Sequence, residues 1–335
     1  MQSRQPLLDT VEVTEITLAS YEAHWLRHQQ YWQDAGPFVT PAWLNAWWLC
    51  FGEKKELLLL RVSRDGDIFG LAPLMVDGQT AWLIGSDDLC DYLDFLVLPD
   101  HGKIFFNALL NCLESKGITR LILEPVRAVS SVMEELVPLV RSKGYKVEIN
   151  PKNTSVKMVL PASWDEYLTM LGGKQRHEVR RKLRRFYEAG SITTRNIREP
   201  AEVAEAMARF FQMFRQSRKD KDRFLTPTRK KFFQELASGL ACSRMLDILE
   251  VDINGSGAAM VFCVNLGSTT YLYNNGFNPD YRALSVGVVS KLLTIRRSIE
   301  NGMQFYDFLG GDEQYKSRLG GTDETLFSCC ISMES

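Results

Sequence analysis

The residues whose types and spacing could support chemistry are concentrated in one stretch, from Tyr271 to Gly320. Its pattern predicts a strand, a turn rich in Asn and Gly, a long helix, a second strand and a polar segment. The free backbone N–H groups and the dipole at a helix N-terminus favour an anion, so such a turn is suited to binding phosphate. A plain helix start after a tight turn, with Ser285 as its cap, is the alternative interpretation.

A second candidate is a strongly basic helix that ends at Gly190 and carries seven Lys and Arg residues against two Glu. Arg176, Arg180 and Arg184 recur every four residues and are predicted to line one flank of this helix. Like charges at this spacing repel each other by about a few tenths of a kcal/mol per pair, so a phosphate-bearing partner would relieve them. The alternative is a solvated helix face that is paired with distant carboxylates.

Another basic cluster falls where a later helix is expected to give way to a loop. Its members could close over a ligand, or they could belong to a solvated linker. They are Arg215, Arg218, Lys219, Lys221 and Arg223.

The bulk composition is that of an ordinary globular protein, with 45% apolar residues, 24% charged residues and a net charge of −1 over 335 residues. Such a balance creates no overall field that favours nucleic acid or a membrane surface. Helix-turn-helix spacing and an RNP-type motif are absent from the sequence. No run approaches the ~20 apolar residues that span a bilayer, and no signal peptide is evident, so we expect a cytoplasmic protein without a membrane span.

Cysteine and histidine usage indicates neither a metal site nor a thiol nucleophile. The seven cysteines form no CxxC pair, which predicts reduced and largely buried thiols. His24 and His28 have the i, i+4 spacing of metal ligands but no obvious third ligand, so a solvated helix face is the preferred interpretation. No GxSxG elbow is present.

The order of predicted elements repeats between the two halves of the chain. Each half reads as helices, a hairpin, a strand, and then helix, strand, helix and strand, with hairpin turns expected at Asp65-Gly66 and Asn254-Gly255. This order predicts an α/β or α+β fold that is duplicated, with a mixed sheet in each half. Residues 150–158 are the expected place for the change of domain, because Pro151 and its polar neighbours interrupt strand-like runs.

The order of elements and the residues within them resemble the GNAT-superfamily N-acyltransferases. More narrowly, the sequence is similar to the CelD/BcsL-like acetyltransferases, which are related in fold to the Fem peptidyltransferases. The resemblance covers nearly the whole chain from about residue 37. It is most specific in YDFLGGDEQYKSRLG, which runs from Tyr306 to Gly320. It implies two tandem GNAT-like domains, each a mixed, mostly antiparallel sheet flanked by helices.

The same resemblance implies a different role for each half of the chain. Residues 1–155 would be a degenerate domain that is structural or shapes the acceptor site. Residues 156–335 would form the catalytic domain that binds the acyl donor, and the last strand could return to the first domain.

The superfamily's pyrophosphate loop has the pattern Arg or Gln, two residues, Gly, one residue, Gly or Ala. The corresponding stretch here begins at Arg282 and ends at Gly287, with Ser285 in place of the first glycine. The resemblance implies that this loop, including Val286, binds the donor's pyrophosphate. It also implies that the sheet splays beside the strand TTYLYNN, so that the backbone at Asn274 and the following Asn275 receives the donor chain.

The residues with implied catalytic roles follow the second strand. By resemblance, Tyr315 would protonate the leaving thiolate, and Asp307 would act as base or orient the nucleophile. Lys316 would pair with phosphate, and Asp312 would contribute to the substrate or phosphate site with the three arginines of the basic helix. The alternative for this segment is an exposed terminal helix with local ion pairs.

The implied reaction is transfer of an acyl group from acyl-CoA, with acetyl-CoA as the first choice, to an amine or hydroxyl. The acceptor would be a small molecule or a group linked to a polysaccharide. A Fem-like transferase that uses aminoacyl-tRNA is one alternative. A non-catalytic scaffold for envelope polysaccharide synthesis, of the cellulose type, is another.

Overall fold

A computed structural model describes residues 11–85, 88–311 and 313–333 of the chain. The described residues form thirteen strands and eleven α-helices. The strands are β1 Glu12–Glu15, β2 Glu56–Arg64, β3 Asp67–Asp77, β4 Thr80–Leu83, β5 Leu96–Val97, β6 Arg120–Arg127, β7 Lys146–Val159, β8 Ile192–Ile197, β9 Leu246–Ile253, β10 Ser256–Leu266, β11 Thr269–Phe277, β12 Phe305–Gly310 and β13 Thr322–Ser332. The helices are α1 Leu18–Trp32, α2 Pro41–Phe51, α3 Gly102–Ser115, α4 Val137–Ser142, α5 Trp164–Met170, α6 Gly173–Tyr187, α7 Pro200–Ser217, α8 Lys219–Phe224, α9 Pro227–Cys242, α10 Val286–Glu300 and α11 Gln314–Arg318.

The chain divides into two units. The first unit runs up to Asn153 and resumes at Thr325, and the second unit is Thr154–Glu324. Strand β7 therefore begins in the first unit and ends in the second, and most of β13 lies in the first unit.

The first unit contains a mostly antiparallel sheet in the order β1-β2-β3-β4-β6-β13, with the short β5 beside β3. Its one parallel pair in the described residues is β4 with β6. The hairpin of β2 and β3 turns at Asp65 and Gly66, which both have positive φ, as the sequence predicts. Thr40 caps α2 by accepting a hydrogen bond from the Trp43 N–H, and Pro41 takes the first helical position.

The second unit contains a sheet in the order β7-β12-β11-β10-β9-β8, and its parallel pair in the described residues is β11 with β12. Alternate residues of β10 face opposite layers. Val261 and Cys263 pack in the core that includes residues of α6 and α10, whereas Phe262 packs on Phe210 of α7. Each unit is thus a mixed, mostly antiparallel sheet with flanking helices, and the fold class predicted from the sequence is confirmed.

One local prediction differs from the structure. The strand-like runs on either side of residue 150 are the single strand β7, which runs through Pro151. Within DYLDFLVLP the strand is only Leu96–Val97. The chain before Pro138 forms a π-helical turn, Val132–Leu136, because the proline removes a backbone donor from the helix interior. No helix in the described residues is long and apolar enough to cross a membrane.

A glycine lets α7 lie directly on β11. A Cβ built on Gly276 would come within 2.5 Å of the backbone N of Phe214 and 2.7 Å of the carbonyl C of Met213. This close approach fixes the end of α7 beside β11. Helix α8 follows after Arg218 and reaches Asn275, where Lys221 Nζ donates a hydrogen bond to the carbonyl.

Gly276→Ala should lower the free energy of unfolding by about 1–3 kcal/mol, because the new methyl group meets backbone atoms that cannot rotate away. Gly173→Ala is the matched control, since a Cβ at this helical glycine has no heavy atom within 4 Å. The control should be neutral or stabilising by up to about 1 kcal/mol. Urea denaturation of both variants measures this difference, and equal stability of the two would contradict the close packing.

Candidate functional site

Strands β11 and β12, which frame the candidate site, are paired over only part of their length. Thr269–Tyr271 lie opposite Phe305–Asp307. Beyond these residues β11 continues to Phe277 and β12 to Gly310, with no further pairing between the two strands in the described part of the chain. The splay that the GNAT resemblance implies is therefore confirmed. It leaves a gap between the facing edges of two neighbouring strands.

Irregularities in both strands explain the divergence. The register of β12 against β7 shifts between Asp307 and Leu309, and Leu309 has a φ of 60°. The register of β11 against β10 shifts at Phe262 and Cys263. A bulge bends its strand and increases the local twist. Two bulges just beyond the last shared pair therefore turn the strands away from each other.

The predicted anion loop lies between β11 and α10. It consists of the 3-10 segment Pro279–Leu284, in which Arg282 is exposed, followed by Ser285 and the start of α10. The backbone N–H groups of Val286 and Gly287 have no hydrogen-bond partner among the described residues. These two groups are the first donors of the helix, and their direction along its axis suits an anion.

Ser285 does not cap α10 with its side chain, which corrects one interpretation of the sequence. Its backbone is left-handed, with φ 57° and ψ 34°, and its carbonyl accepts from the N–H groups of Val288 and Val289. A capping side chain needs an extended backbone, which this residue does not have. The Ser285 hydroxyl accepts instead from Lys182 Nζ at 3.3 Å.

Two basic residues of α6 reach the anion loop. Lys182 contacts the Ser285 hydroxyl, and Arg185 Nη2 donates to the carbonyl of Ala283 at 3.1 Å. Lys182 is also paired with Glu178 at 2.8 Å. Both basic side chains are therefore positioned beside the free N–H groups of α10.

The basic flank that the sequence singles out does not meet the loop in the contacts of the described residues. Arg176 is partly buried, Arg180 is exposed, and the side chain of Arg184 is 70% exposed and 3.9 Å from Glu188. The helix and its buried stripe are as predicted, with Val179 and Phe186 buried. The sequence could not tell which of the two flanks of that stripe faces the loop.

Asp307 and Lys316 are both enclosed. Asp307 is 2% exposed, and its Oδ1 accepts from the Leu309 N–H at 2.7 Å. Lys316 Nζ donates to the carbonyls of Leu309 and Gly311 at 3.2 Å each, and also to that of Gly310. Its Nζ lies 3.0 Å from the carboxylate of Glu313. These contacts fix the turn after β12, so they favour a positioning role for Lys316.

Tyr315 lies on α11 with its ring at the gap. Burial raises the pKa of its phenol above the ordinary range, so the hydroxyl stays protonated at neutral pH. Its ring centroid is 4.7 Å from Lys291 Nζ. Asp312, the remaining predicted site residue of this segment, lies outside the described residues.

Two lysines at the gap, one buried and one partly buried, were not predicted as site residues. Lys291 of α10 is 5% exposed and donates to the Gly287 carbonyl at 2.7 Å. Burial, and then the charge of Lys221, lower the pKa of Lys291 to about 7. Burial, and then the charge of Arg218, lower the pKa of Lys221 to about 8. Lys221 donates to the carbonyl of Asn275, so it occupies part of the β11 edge predicted to receive a donor.

A sequence signal existed for Lys291 but was weak. The residue interrupts the apolar part of a helix, in SVGVVSKLLTI, where a lysine on the buried face is unusual. Lys221 was noted only as a member of a basic cluster, in a segment expected to be loop. In the structure that segment is the helix α8.

No set of three His, Cys, Asp or Glu side chains in the described ranges is arranged to hold a metal ion. The spacing of His24 and His28 instead serves a local contact. His28 Nδ1 lies 3.0 Å from the carbonyl of His24, one helical turn earlier.

Lys291→Met should stabilise the protein most below about pH 7, by an amount on the order of a few kcal/mol. In that pH range Lys291 of the wild type is protonated in both the folded and the unfolded state, and the folded state bears the full cost of a buried charge. As the pH rises from about 7 towards about 10.5, the folded state loses its proton first, so wild-type stability increases and the advantage of the variant shrinks.

Urea denaturation at about pH 6.5 and about pH 9.5 measures this difference. Lys219→Met removes an exposed lysine of α8 and should change stability by less than about 0.5 kcal/mol at either pH. A Lys291→Met variant that is less stable than wild type at the lower pH would show that the ammonium is well compensated.

The chain is similar to known proteins in both sequence and fold. Residues 173–317 match the family model of the acetyltransferase (GNAT) domain. No curated protein matches the sequence. FemX is 12% identical with a TM-score of 0.65, over 95% of this chain and 96% of that structure. A conserved protein of unknown function from Bacteroides thetaiotaomicron is 11% identical with a TM-score of 0.61, over 96% and 100%.

A third structure, L-PGS from Bacillus licheniformis, is 12% identical with a TM-score of 0.56, over 87% of this chain and 91% of that structure. At such identities the likeness shows the fold alone. The family match covers the basic helix, the anion loop, the splayed strands and Tyr315. Residues 173–317 are therefore similar to a GNAT-type acetyltransferase domain in sequence, and the chain shares its fold with these structures.

Proposed function

We propose that this protein is an acyltransferase whose phosphate-bearing donor, acyl-CoA, binds in the second unit. The observation that carries the proposal is the combination of the β11–β12 gap with the free N–H groups of Val286 and Gly287. Lys182 and Arg185 bond to the turn that leads into these N–H groups, so two cations and a helix N-terminus belong to the same turn. The donor's pyrophosphate would bind there, and its acyl chain would enter the gap.

The chemistry would be attack of an acceptor amine on the donor's thioester carbonyl. The new C–N bond forms, the C–S bond breaks, and the amine's proton passes to a base. Donors on the open edge of β11 would stabilise the oxyanion. Tyr315, which burial keeps protonated, would give its proton to the leaving thiolate. Asp307 is held by the Leu309 N–H and would orient the nucleophile or act as its base.

A donor without a pantetheine chain is the second candidate. It is favoured by Lys221, which already occupies the Asn275 carbonyl on the edge where pantetheine amides would pair. An aminoacyl ester, as on aminoacyl-tRNA, needs no such edge. The CelD/BcsL-like assignment, acetyl as the acyl group, a polysaccharide-linked acceptor, the scaffold alternative and the cytoplasmic location stay predictions.

Replacing Lys182 and Arg185 together by Met should weaken acetyl-CoA binding about tenfold to a hundredfold, because two charge-assisted contacts to phosphate are lost. Calorimetry at about 50 mM and about 200 mM salt should also show a weaker salt dependence in this variant. The matched control replaces Arg180 and Arg184, which lie on the exposed flank of the same helix. Its affinity should stay within about twofold of wild type.

The control pair also tests the interpretation of the sequence. If replacing Arg180 and Arg184 weakens acetyl-CoA binding as much as replacing Lys182 and Arg185, the exposed flank binds the phosphate. If no acyl-CoA binds the wild type, whatever its chain length, then aminoacyl-tRNA becomes the donor to test. Binding of neither donor would support the scaffold.

Tyr315→Phe should reduce turnover by about 10²–10⁴-fold while the protein remains folded, because the general acid is lost. Tyr306→Phe is the matched control. It removes another buried phenol hydroxyl, one that bonds to Thr294 Oγ1 at 2.7 Å. The control should cost about 1 kcal/mol of stability and leave kcat within about threefold. Release of CoA thiol in the presence of primary amines gives the rates, and an unchanged rate for Tyr315→Phe removes it from the mechanism.

A further inference from the structure

Three lysines and the carboxylate of Glu313 lie around the gap between β11 and β12, and the carboxylate of Asp220 also acts on the pKa of Lys221. Lys221 comes from α8, Lys291 from α10 and Lys316 from α11, and Glu313 precedes α11. The lysines of α8 and α11 both lower the pKa of Lys291, and Glu313 acts on the pKa of both Lys221 and Lys291. The four groups are therefore close enough to interact.

The positive charge of Lys316 is already compensated. Its Nζ bonds to three backbone carbonyls and lies 3.0 Å from Glu313, so this carboxylate contacts Lys316 directly. The remaining cations, Lys221 and Lys291, each donate to one backbone carbonyl and each lie over one aromatic ring. An ammonium group has three N–H donors. In the contacts of the described residues, two donors on each lysine therefore have no hydrogen-bond acceptor.

The other groups that face Lys291 do not supply a negative charge. Burial raises the pKa of the Cys263 thiol and of the Tyr315 phenol, so both are neutral near pH 7. No carboxylate of the described residues lies within 4.0 Å of the Nζ atom of Lys221 or Lys291. Among the described residues, Asp220 and Glu313 act on these lysines without direct contact, and burial still lowers the pKa of both lysines.

The site is open on its outer side. Lys291 is nearly buried at 5% exposure, whereas Lys221 is partly exposed and the side chain of Glu313 is 47% exposed. An anion can therefore enter between Lys221 and Glu313 and reach the deeper ammonium of Lys291. The proposed pyrophosphate site at the turn before α10 has other cations, Lys182 and Arg185 of α6, and Lys291 contacts its edge at the Gly287 carbonyl.

We propose that Lys221 and Lys291 form a second oxyanion site, which holds a carboxylate or phosphate group of the acceptor at the gap. The acceptor is thus an amine that carries its own negative charge, such as an amino acid or a phosphorylated amino alcohol. Its identity as the acceptor rests on the proposed acyltransferase function, whereas the anion site itself does not. A bound oxyanion accepts hydrogen bonds from the unused N–H groups and compensates the positive charges of Lys221 and Lys291.

Anion binding at this site takes up protons near neutral pH. In the free site Lys291 has a pKa of about 7, so at about pH 8 most molecules carry the neutral amine. A bound anion favours the ammonium form and raises that pKa. The proton comes from the buffer, and the measured heat then depends on the buffer's enthalpy of ionisation.

The first test is calorimetry of the full chain with sulfate at about pH 8, in Tris and in phosphate-free HEPES. Wild type should take up a fraction of a proton per sulfate at one site. Lys291→Met should reduce the uptake to the share that comes from Lys221 and weaken that site at least tenfold, while Lys182→Met should retain the full uptake. Absence of uptake in wild type, or undiminished uptake in Lys291→Met, overturns the second site.

The second test identifies the anion, with glycine, O-phosphoethanolamine and ethanolamine as ligands. At least one of the two anionic amines should bind about tenfold more tightly than ethanolamine, and Lys291→Met should remove the difference. Which of the two binds decides between carboxylate and phosphate. Equal binding of all three overturns the proposal.

Failure of the acyltransferase function gives a different pattern. In that case acyl-CoA fails to bind, yet sulfate still binds with proton uptake that depends on Lys291. If acyl-CoA binds and the uptake is missing, the donor site remains and only the second site is lost.

Discussion

The open backbone edge between β11 and β12 is the constraint on which the rest of this site depends. Backbone N–H and C=O groups inside a sheet need partners, and the splay takes those partners away. The structure supplies substitutes from side chains. Lys221 bonds to the Asn275 carbonyl, and Asp307 accepts from the Leu309 N–H. A gap made this way offers polar groups to a ligand because the sheet no longer satisfies them.

The same constraint accounts for the charge around the gap. Carbonyl groups at the end of β12 and in the turn that follows it also attract an ammonium group, and Lys316 bonds to three of them. Each lysine that bonds to a carbonyl brings a positive charge into a partly buried place, and Glu313 contacts only Lys316 directly. In our proposal the acceptor's anion neutralises the positive charge of Lys221 and Lys291. The backbone carbonyls at the gap would then account both for the lysines found there and for the preference for an anionic acceptor.

The sequence was sufficient for those features that depend on neighbours along the chain. Periodicity and turn residues predicted the hairpins and the basic helix, and the family resemblance implied the splay. It was insufficient where distant elements meet. Whether Lys182 or Arg180 contacts the anion loop depends on how α6 packs on the loop before α10. The low pKa of Lys291 depends on burial and on the charge of Lys221, seventy positions away in the chain.

Ser285 shows how a departure from a motif can preserve its physical purpose. The loop pattern has glycine at this position, and glycine readily adopts the left-handed conformation, which costs other residues about 1 kcal/mol. Ser285 adopts that conformation nonetheless, with φ 57°, and leaves the N–H groups of Val286 and Gly287 free. Its hydroxyl gains a hydrogen bond from Lys182, which offsets part of the cost and holds a cation beside those donors. The left-handed Ser285 and its hydrogen bond from Lys182 therefore keep the turn in a form that fits the anion site that we propose.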